Sequence, residues 1–191
     1  WRFGTLAKSG RVPPSRSTHS FTSSQPMPAM ICRPQASKSP GKLTPPVVVD
    51  WAPWNHTASG NKVFNMVIFN GGTFYIDHGK PSPEGMKITI RNLREVSPTW
   101  YFNVPAGYEV LVDAMEKDDV LRKSFFGRLR MMMYAAASMG QHTWDRLNEL
   151  AVQTTGHRIF LGTGLGATET APFALMCMEE QDVAGNVGVP S

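Results

Sequence analysis

From Val47 onward, short and nearly continuous apolar runs alternate with longer stretches in which apolar residues recur every three or four positions. The short runs lie at residues 47–51 (VVVDW), 73–77 (TFYID), 99–104 (TWYFNV), 129–134 (LRMMMY) and 158–162 (RIFLG). They are β-branched or aromatic and bounded by turn residues, which predicts strands. The longer stretches predict helices over 61–70, closed by Gly71-Gly72, and over 84–97, entered through Ser82-Pro83. Two more are predicted over 105–126, broken near Asp118, and over 141–155, closed by Gly156. In the last of these, Trp144, Leu147, Leu150 and Ala151 share one face. The alternation implies an α/β fold: a mostly parallel sheet of five strands, with helices on both faces and right-handed crossovers. Ligands of such sheets gather at the carboxyl ends of the strands. Within 99–104, Trp100 and Phe102 fall on the core face and Tyr101 on the other.

Before Val47 the texture is different. Eight of the 15 prolines lie between Pro13 and Pro46, with many serines and no helical or strand period. Residues 1–45 therefore read as an irregular, poorly packed Pro/Ser-rich segment, and residues 46–191 as the folded domain. The charge divides at the same place. Arg2, Lys8, Arg11, Arg16, Arg33, Lys38 and Lys42 precede residue 46 with no Asp or Glu, whereas the remainder holds all 15 acidic side chains against 12 basic ones. The net +4 is thus no basic patch on a folded surface, and nucleic acid is not the expected partner. The apolar run MMMYAAASM at residues 131–139 is too short to span a bilayer, so no membrane association is expected. Cys32 and Cys177 match no metal or disulfide spacing, which points to a reducing compartment, the cytoplasm.

Chemistry concentrates after the fifth predicted strand. In RIFLGTGLGATETAP, Gly162, Gly164 and Gly166 permit close backbone approach and positive φ, and Thr168, Glu169 and Thr170 supply hydroxyls and a carboxylate. A loop of residues 162–169 can touch phosphate and hold Mg²⁺, for which one carboxylate beside phosphate oxygens is sufficient. The spacing alone equally describes a Gly-rich strand-to-helix turn with a capping Thr. A dinucleotide-binding fingerprint is excluded, because the 22 residues after Glu169 leave no room for the helix, strand and acidic residue it requires.

TGLGATETAP resembles the threonine-and-glutamate motif of the adenylate-forming enzymes, the superfamily of acyl-CoA synthetases, luciferases and peptide-synthetase adenylation domains. VVVDWAPWNHT, NGGTFYIDHGKP, TWYFNVPAGYEVL, MMMYAAASMGQHTWDRL and AGNVGVPS resemble the feruloyl-CoA synthetase branch in order and spacing. The resemblance implies that residues 46–191 are part of the large N-terminal domain of an ATP-dependent acyl-CoA ligase. Such a ligase activates an aromatic, hydroxycinnamate-type acid through an acyl-adenylate, with ATP, Mg²⁺ and CoA. It further implies a phosphate-contacting role for Thr168 and a metal-ligand role for Glu169. His56 and Trp54 would border the acyl pocket with Ala136 and Met139, His56 acting as its gate. Ala136, Ala137 and Ser138 would line the nucleotide together with Gly164, Leu165, Gly166 and Ala167. Where the family favours glycine this chain has Ala136, which narrows the pocket, and Leu165 stands where many members stack a Tyr on adenine. Taken alone, His56 reads as a hydrogen-bonded loop histidine, and Asp77, His78 and Lys80 as solvated turn residues.

The same comparison implies losses. A Gly-rich phosphate loop with a lysine is expected well before PWNHT. The corresponding stretch, residues 5–14, keeps Thr5 and Gly10 but has Pro13 in the lysine's place, and proline removes an N–H donor. Residues 5–46 read as altered sequence, and the family's ribose-binding aspartate and C-terminal domain are expected beyond Ser191. The chain is therefore expected to be a fragment that does not make acyl-CoA alone. The competing expectation is a catalytically inactive α/β remnant or a partner-binding fragment.

Overall fold

The computed structural model describes residues 2–5 and 44–190. Its strands are β1 (Arg2–Thr5), β2 (Val47–Asp50), β3 (Thr73–Ile76), β4 (Trp100–Asn103), β5 (Met131–Tyr134), β6 (Phe160–Leu165), β7 (Leu175–Cys177) and β8 (Val189–Pro190). A π-helical turn, Ala58–Val63, runs directly into α1 (Phe64–Phe69); the other helices are α2 (Pro83–Glu95), α3 (Pro105–Met115), α4 (Asp119–Phe126) and α5 (Gln141–Thr155).

The helix boundaries follow from local chemistry. Ser82 Oγ accepts from Gly85 N–H at 3.2 Å, and Pro83 occupies the first turn, where its missing N–H costs nothing. Asp118 accepts from the N–H groups of Val120 and Leu121 at 3.0 and 3.1 Å, so it caps α4 and divides the 105–126 stretch into two helices. Gly156 closes α5 at φ 80°, a left-handed conformation open to glycine at little cost.

Hydrogen bonding defines two sheets, β1-β3-β2 and β4-β5-β6-β7-β8. They abut along β2 and β4, where Thr99 N–H donates to Val47 O at 2.9 Å and the Trp51 indole donates to Asn103 Oδ1 at 3.1 Å. Both contacts keep the same offset along the chain, so β2 and β4 run parallel. The five expected strands thus form one parallel array in the order β3-β2-β4-β5-β6, which reverses direction between β2 and β4. β7 and β8 add an antiparallel edge beside β6.

Both faces are buried. Val49, Tyr101, Met132, Tyr134 and Leu161 pack beneath α2 to α5, whereas Val48, Phe74, Trp100, Phe102, Met131 and Met133 pack with Val63, Met66 and Val67 of the π-turn and α1. Trp100 and Phe102 stack 6.3 Å apart on the α1 side and Tyr101 lies on the other, as alternation requires; all three are core residues because helices cover both sides. The fold is therefore α/β with helices on both faces of a mostly parallel sheet.

Two expectations are corrected here. Arg2–Thr5, inside the span expected to be irregular, forms β1 and pairs in parallel with β3 from Arg2 opposite Thr73 to Thr5 opposite Ile76. Four residues are too few to show a period, and the free edge of β3 provides the partner. The remainder of that span up to residue 43, including Pro13, lies outside the described residues. The glycines after Phe160 do not form a loop entered at Gly162. β6 continues through Leu165, no helix follows it, and neither Gly162, Gly164 nor Gly166 has a positive φ. They are needed for clearance: a Cβ at Gly164 would strike the Phe173 ring and the Leu175 carbonyl, and one at Gly166 the Pro172 carbonyl.

Candidate functional site

The carboxyl ends of β2, β4, β5 and β6 lie on one edge, and β2 and β4 flank the point where strand order reverses. Crevices at such points are the ligand sites of open α/β sheets. Residues 51–57, 135–139 and 166–173 all leave the sheet at this edge.

After β2, Asp50 is buried and its carboxylate accepts from Ser59 Oγ at 2.6 Å and Ala52 N–H at 3.0 Å. Burial pushes its carboxyl above the ordinary value; the hydrogen bonds from Ser59 and Ala52 oppose that and the charge of Asp77 adds to it. The bond to Ser59 ties the π-helical turn to the end of β2. His56 is exposed, with its Nδ1 accepting from Ala58 N–H at 3.2 Å and its own N–H donating to Pro53 O at 2.9 Å. It is a hydrogen-bonded loop histidine. Trp54 is 49% exposed and packs on Phe64 and Phe74 at centroid distances of 5.3 and 5.9 Å.

The reversal point itself is filled. Asn103, fully buried, accepts from the Trp51 indole and from Val104 N–H, and donates to Tyr101 Oη at 2.8 Å. Burial keeps Tyr101 and Tyr108 protonated far above the ordinary phenol range; Tyr108 donates to Met133 O at 2.9 Å. Beside this network Asp77 is buried rather than solvated, which corrects the reading of it as a turn residue. Its oxygens accept from Thr89 Oγ1 at 2.5 Å, Asn92 Nδ2 at 2.8 Å and Gly79 N–H at 3.0 Å, so it pins α2 to the end of β3. His78 and Lys80 are exposed, as expected.

After β5, Ala136 adopts φ 74°, and Ala136, Ala137 and Ser138 are exposed. Met139 is 5% exposed and belongs to the core beneath α2 to α5, apart from that open surface. After β6, Leu165 is 57% exposed and residues 166–171 are all exposed. The loop is held by Ala174 N–H donating to Leu165 O at 2.8 Å and Ala167 N–H donating to Thr170 Oγ1 at 3.0 Å. Thr168 and Glu169 form no hydrogen bond or ion pair among the described residues, so a hydroxyl and a carboxylate stand open at the loop's tip. No group of three or more His, Cys, Asp or Glu is placed to hold a metal among the described residues. A lone carboxylate fits magnesium carried on a nucleotide, which takes one or two protein carboxylates and keeps phosphate and water as its other ligands.

The edge therefore brings together His56, Ala136 to Ser138 and Leu165 to Glu169, leaves Gly164 inside β6, and places Met139 in the core. Sequence reasoning missed the buried pair Asp50 and Asp77, although each ends an apolar run in a matching way, VVVD and YID. It also missed Lys62, which is 3% exposed with its Nζ 3.1 Å from Met133 Sδ.

An open, mostly parallel sheet with two exposed small-residue loops at its carboxyl edge places the chain among the open-sheet α/β domains. Residues 27–191 match the AMP-binding enzyme family, and the chain belongs to that family. Among solved structures it is similar to a malonyl-CoA ligase in ternary product complex with methylmalonyl-CoA and AMP, at 25% identity and a TM-score of 0.54, over 75% of this chain and 28% of that one. It is also similar in fold to the anthranilate CoA ligase AuaEII in complex with anthranoyl-AMP (18% identity, TM-score 0.55, covering 75% and 25%). A long-chain-fatty-acid-CoA ligase from Archaeoglobus fulgidus shares the fold too (19%, 0.51, covering 68% and 25%). The chain spans about a quarter of the length of these structures. No curated protein matches it. No helix among the described residues is long and apolar enough to cross a membrane.

Proposed function

We propose that this chain carries part of the nucleotide and acyl site of an ATP-dependent acyl-CoA ligase. The carrying observation is the loop after β6, in which Thr168 and Glu169 are open at the carboxyl edge of a sheet in an AMP-binding family member. In the reaction, a carboxylate oxygen attacks the α-phosphorus of ATP, pyrophosphate leaves, and a CoA thiol then displaces AMP to give the thioester. Thr168 Oγ1 would donate to a phosphate oxygen, and Glu169 would hold magnesium carried on the nucleotide, which when bound would supply positive charge beside the phosphate oxygens. Exposed Leu165 packs on the adenine, and the backbone of Ala136 to Ser138 borders nucleotide and acyl group. His56 and Trp54 stand at the acyl entrance, with the Ala136 methyl restricting it.

The resemblance of the PWNHT and YAAASMGQ segments favours an aromatic, hydroxycinnamate-type acid, and the cysteine pattern favours the cytoplasm. A catalytically inactive remnant is the second reading, favoured by Pro13 in place of the phosphate-loop lysine. Incubating the purified chain with ATP, Mg²⁺, CoA and ferulate or coumarate separates the two when nucleotide binding is measured in parallel. Binding of Mg·ATP that Glu169→Ala weakens, with no thioester, is the expected result. Absence of binding at millimolar ATP would support the remnant. Thioester formation at ordinary enzyme rates would show that the chain needs no lysine from that loop.

A further inference from the structure

Lys62 lies on the π-helical turn Ala58–Val63, below the loop after β2, yet its contacts lead to the loop after β6. Its Nζ stands 3.2 Å from the centroid of the Phe173 ring and 5.9 Å from that of Trp100, with Met133 Sδ at 3.1 Å. An ammonium over an aromatic face is attracted by the ring's quadrupole, most strongly where water is excluded, and Lys62 is 3% exposed. Phe173 closes the exposed segment that contains Thr168 and Glu169. Its ring packs on Gly164 of β6, where any Cβ would collide with it, and Ala174 returns the chain to Leu165. The half-buried ring is thus held between a bare strand backbone and the Lys62 side chain, whereas residues 165–171 have no such burial.

We propose that Lys62 is a positioning residue: through the Phe173 ring it sets the geometry of the Thr168–Glu169 loop and couples it to the segment bearing His56. The consequence for nucleotide rests on the function proposed above; the coupling itself does not.

The test compares the full chain with Lys62→Met, which keeps the stem and loses the charge, Lys62→Arg, which keeps a cation over the ring, Phe173→Leu, and the Lys62→Met/Phe173→Leu pair. Amide exchange over residues 166–174 rises about tenfold in Lys62→Met and Phe173→Leu, rises no further in the double variant, and returns toward wild type in Lys62→Arg. In the wild type, the Lys62 ε-methylene protons resonate upfield of an ordinary lysine's because of the ring beneath them, a reading that stands even if a variant fails to fold. Unchanged loop exchange, additive effects of the two substitutions, or an ordinary ε-methylene shift overturns the proposal. A Mg·ATP titration of the same proteins separates the two inferences. Loss of loop order together with weaker binding supports both. A wild type that binds no Mg·ATP while exchange remains coupled removes the nucleotide reading and leaves the coupling.

Discussion

Ala136 pays for its conformation. At φ 74° its Cβ crowds the backbone, costing about 1–2 kcal/mol relative to the right-handed region. Replacing it with glycine removes that strain and adds unfolded-state entropy worth about 0.4–1 kcal/mol. Ala136→Gly is therefore expected to be neutral to about 1 kcal/mol more stable in urea denaturation, whereas Ala136→Val, which is β-branched, loses stability. Asp50 gives a second prediction at this scale. Its folded carboxyl lies above the unfolded value near 3.8 because of burial, so the folded state binds the proton more tightly. Between those two values the native state holds more protons than the unfolded one, and Asp50 adds stability as pH falls through its raised pKa, with no further gain below about 3.8. The stability of wild type minus that of Asp50→Asn should shift in favour of wild type as urea midpoints are taken from pH 7 toward pH 4. A flat difference, or one moving the other way, would contradict the shift.

At the scale of elements, Asp77 clamps α2 to β3 through three donors. Asp77→Ala strands the buried Thr89 hydroxyl, Asn92 amide and Gly79 N–H, and is expected to cost about 3 kcal/mol in denaturant unfolding. Asp77→Asn, whose Oδ1 can still accept from Gly79 N–H and Asn92 Nδ2, should cost less. Elements of this kind were legible in part. The helix ends at Ser82, Asp118 and Gly156 could be read because capping chemistry is local. β6 was read three residues short because glycine marks turns in most contexts, while Gly164 is bare here to admit Phe173, a contact made from nine residues further on. β7 and β8, of three and two residues, are too short to carry a period. The clamp at Asp77 was hidden because a strand-ending Asp looks alike whether a helix covers it or water does.

For the whole molecule, the sheet's parallel direction could be read from the βα alternation, and with it the shared edge of His56, Ala136 and Glu169. The burial of Met139 could not, because tertiary packing and not the local sequence pattern decides which residue of a loop enters the core. If that shared edge is a nucleotide-metal site, a paramagnetic ion should report all of its loops at once. Mn²⁺ takes the place of Mg²⁺ on ATP and broadens nearby amide resonances. Adding Mn·ATP to the isotope-labelled chain should broaden residues 165–170 most, then residues 136–138. Glu169→Ala should weaken the effect at least tenfold, since even outer-shell partners of a metal ligand are worth about 10–100-fold. Broadening that spares those loops, or that persists unchanged in Glu169→Ala, would contradict a nucleotide-metal site at this edge.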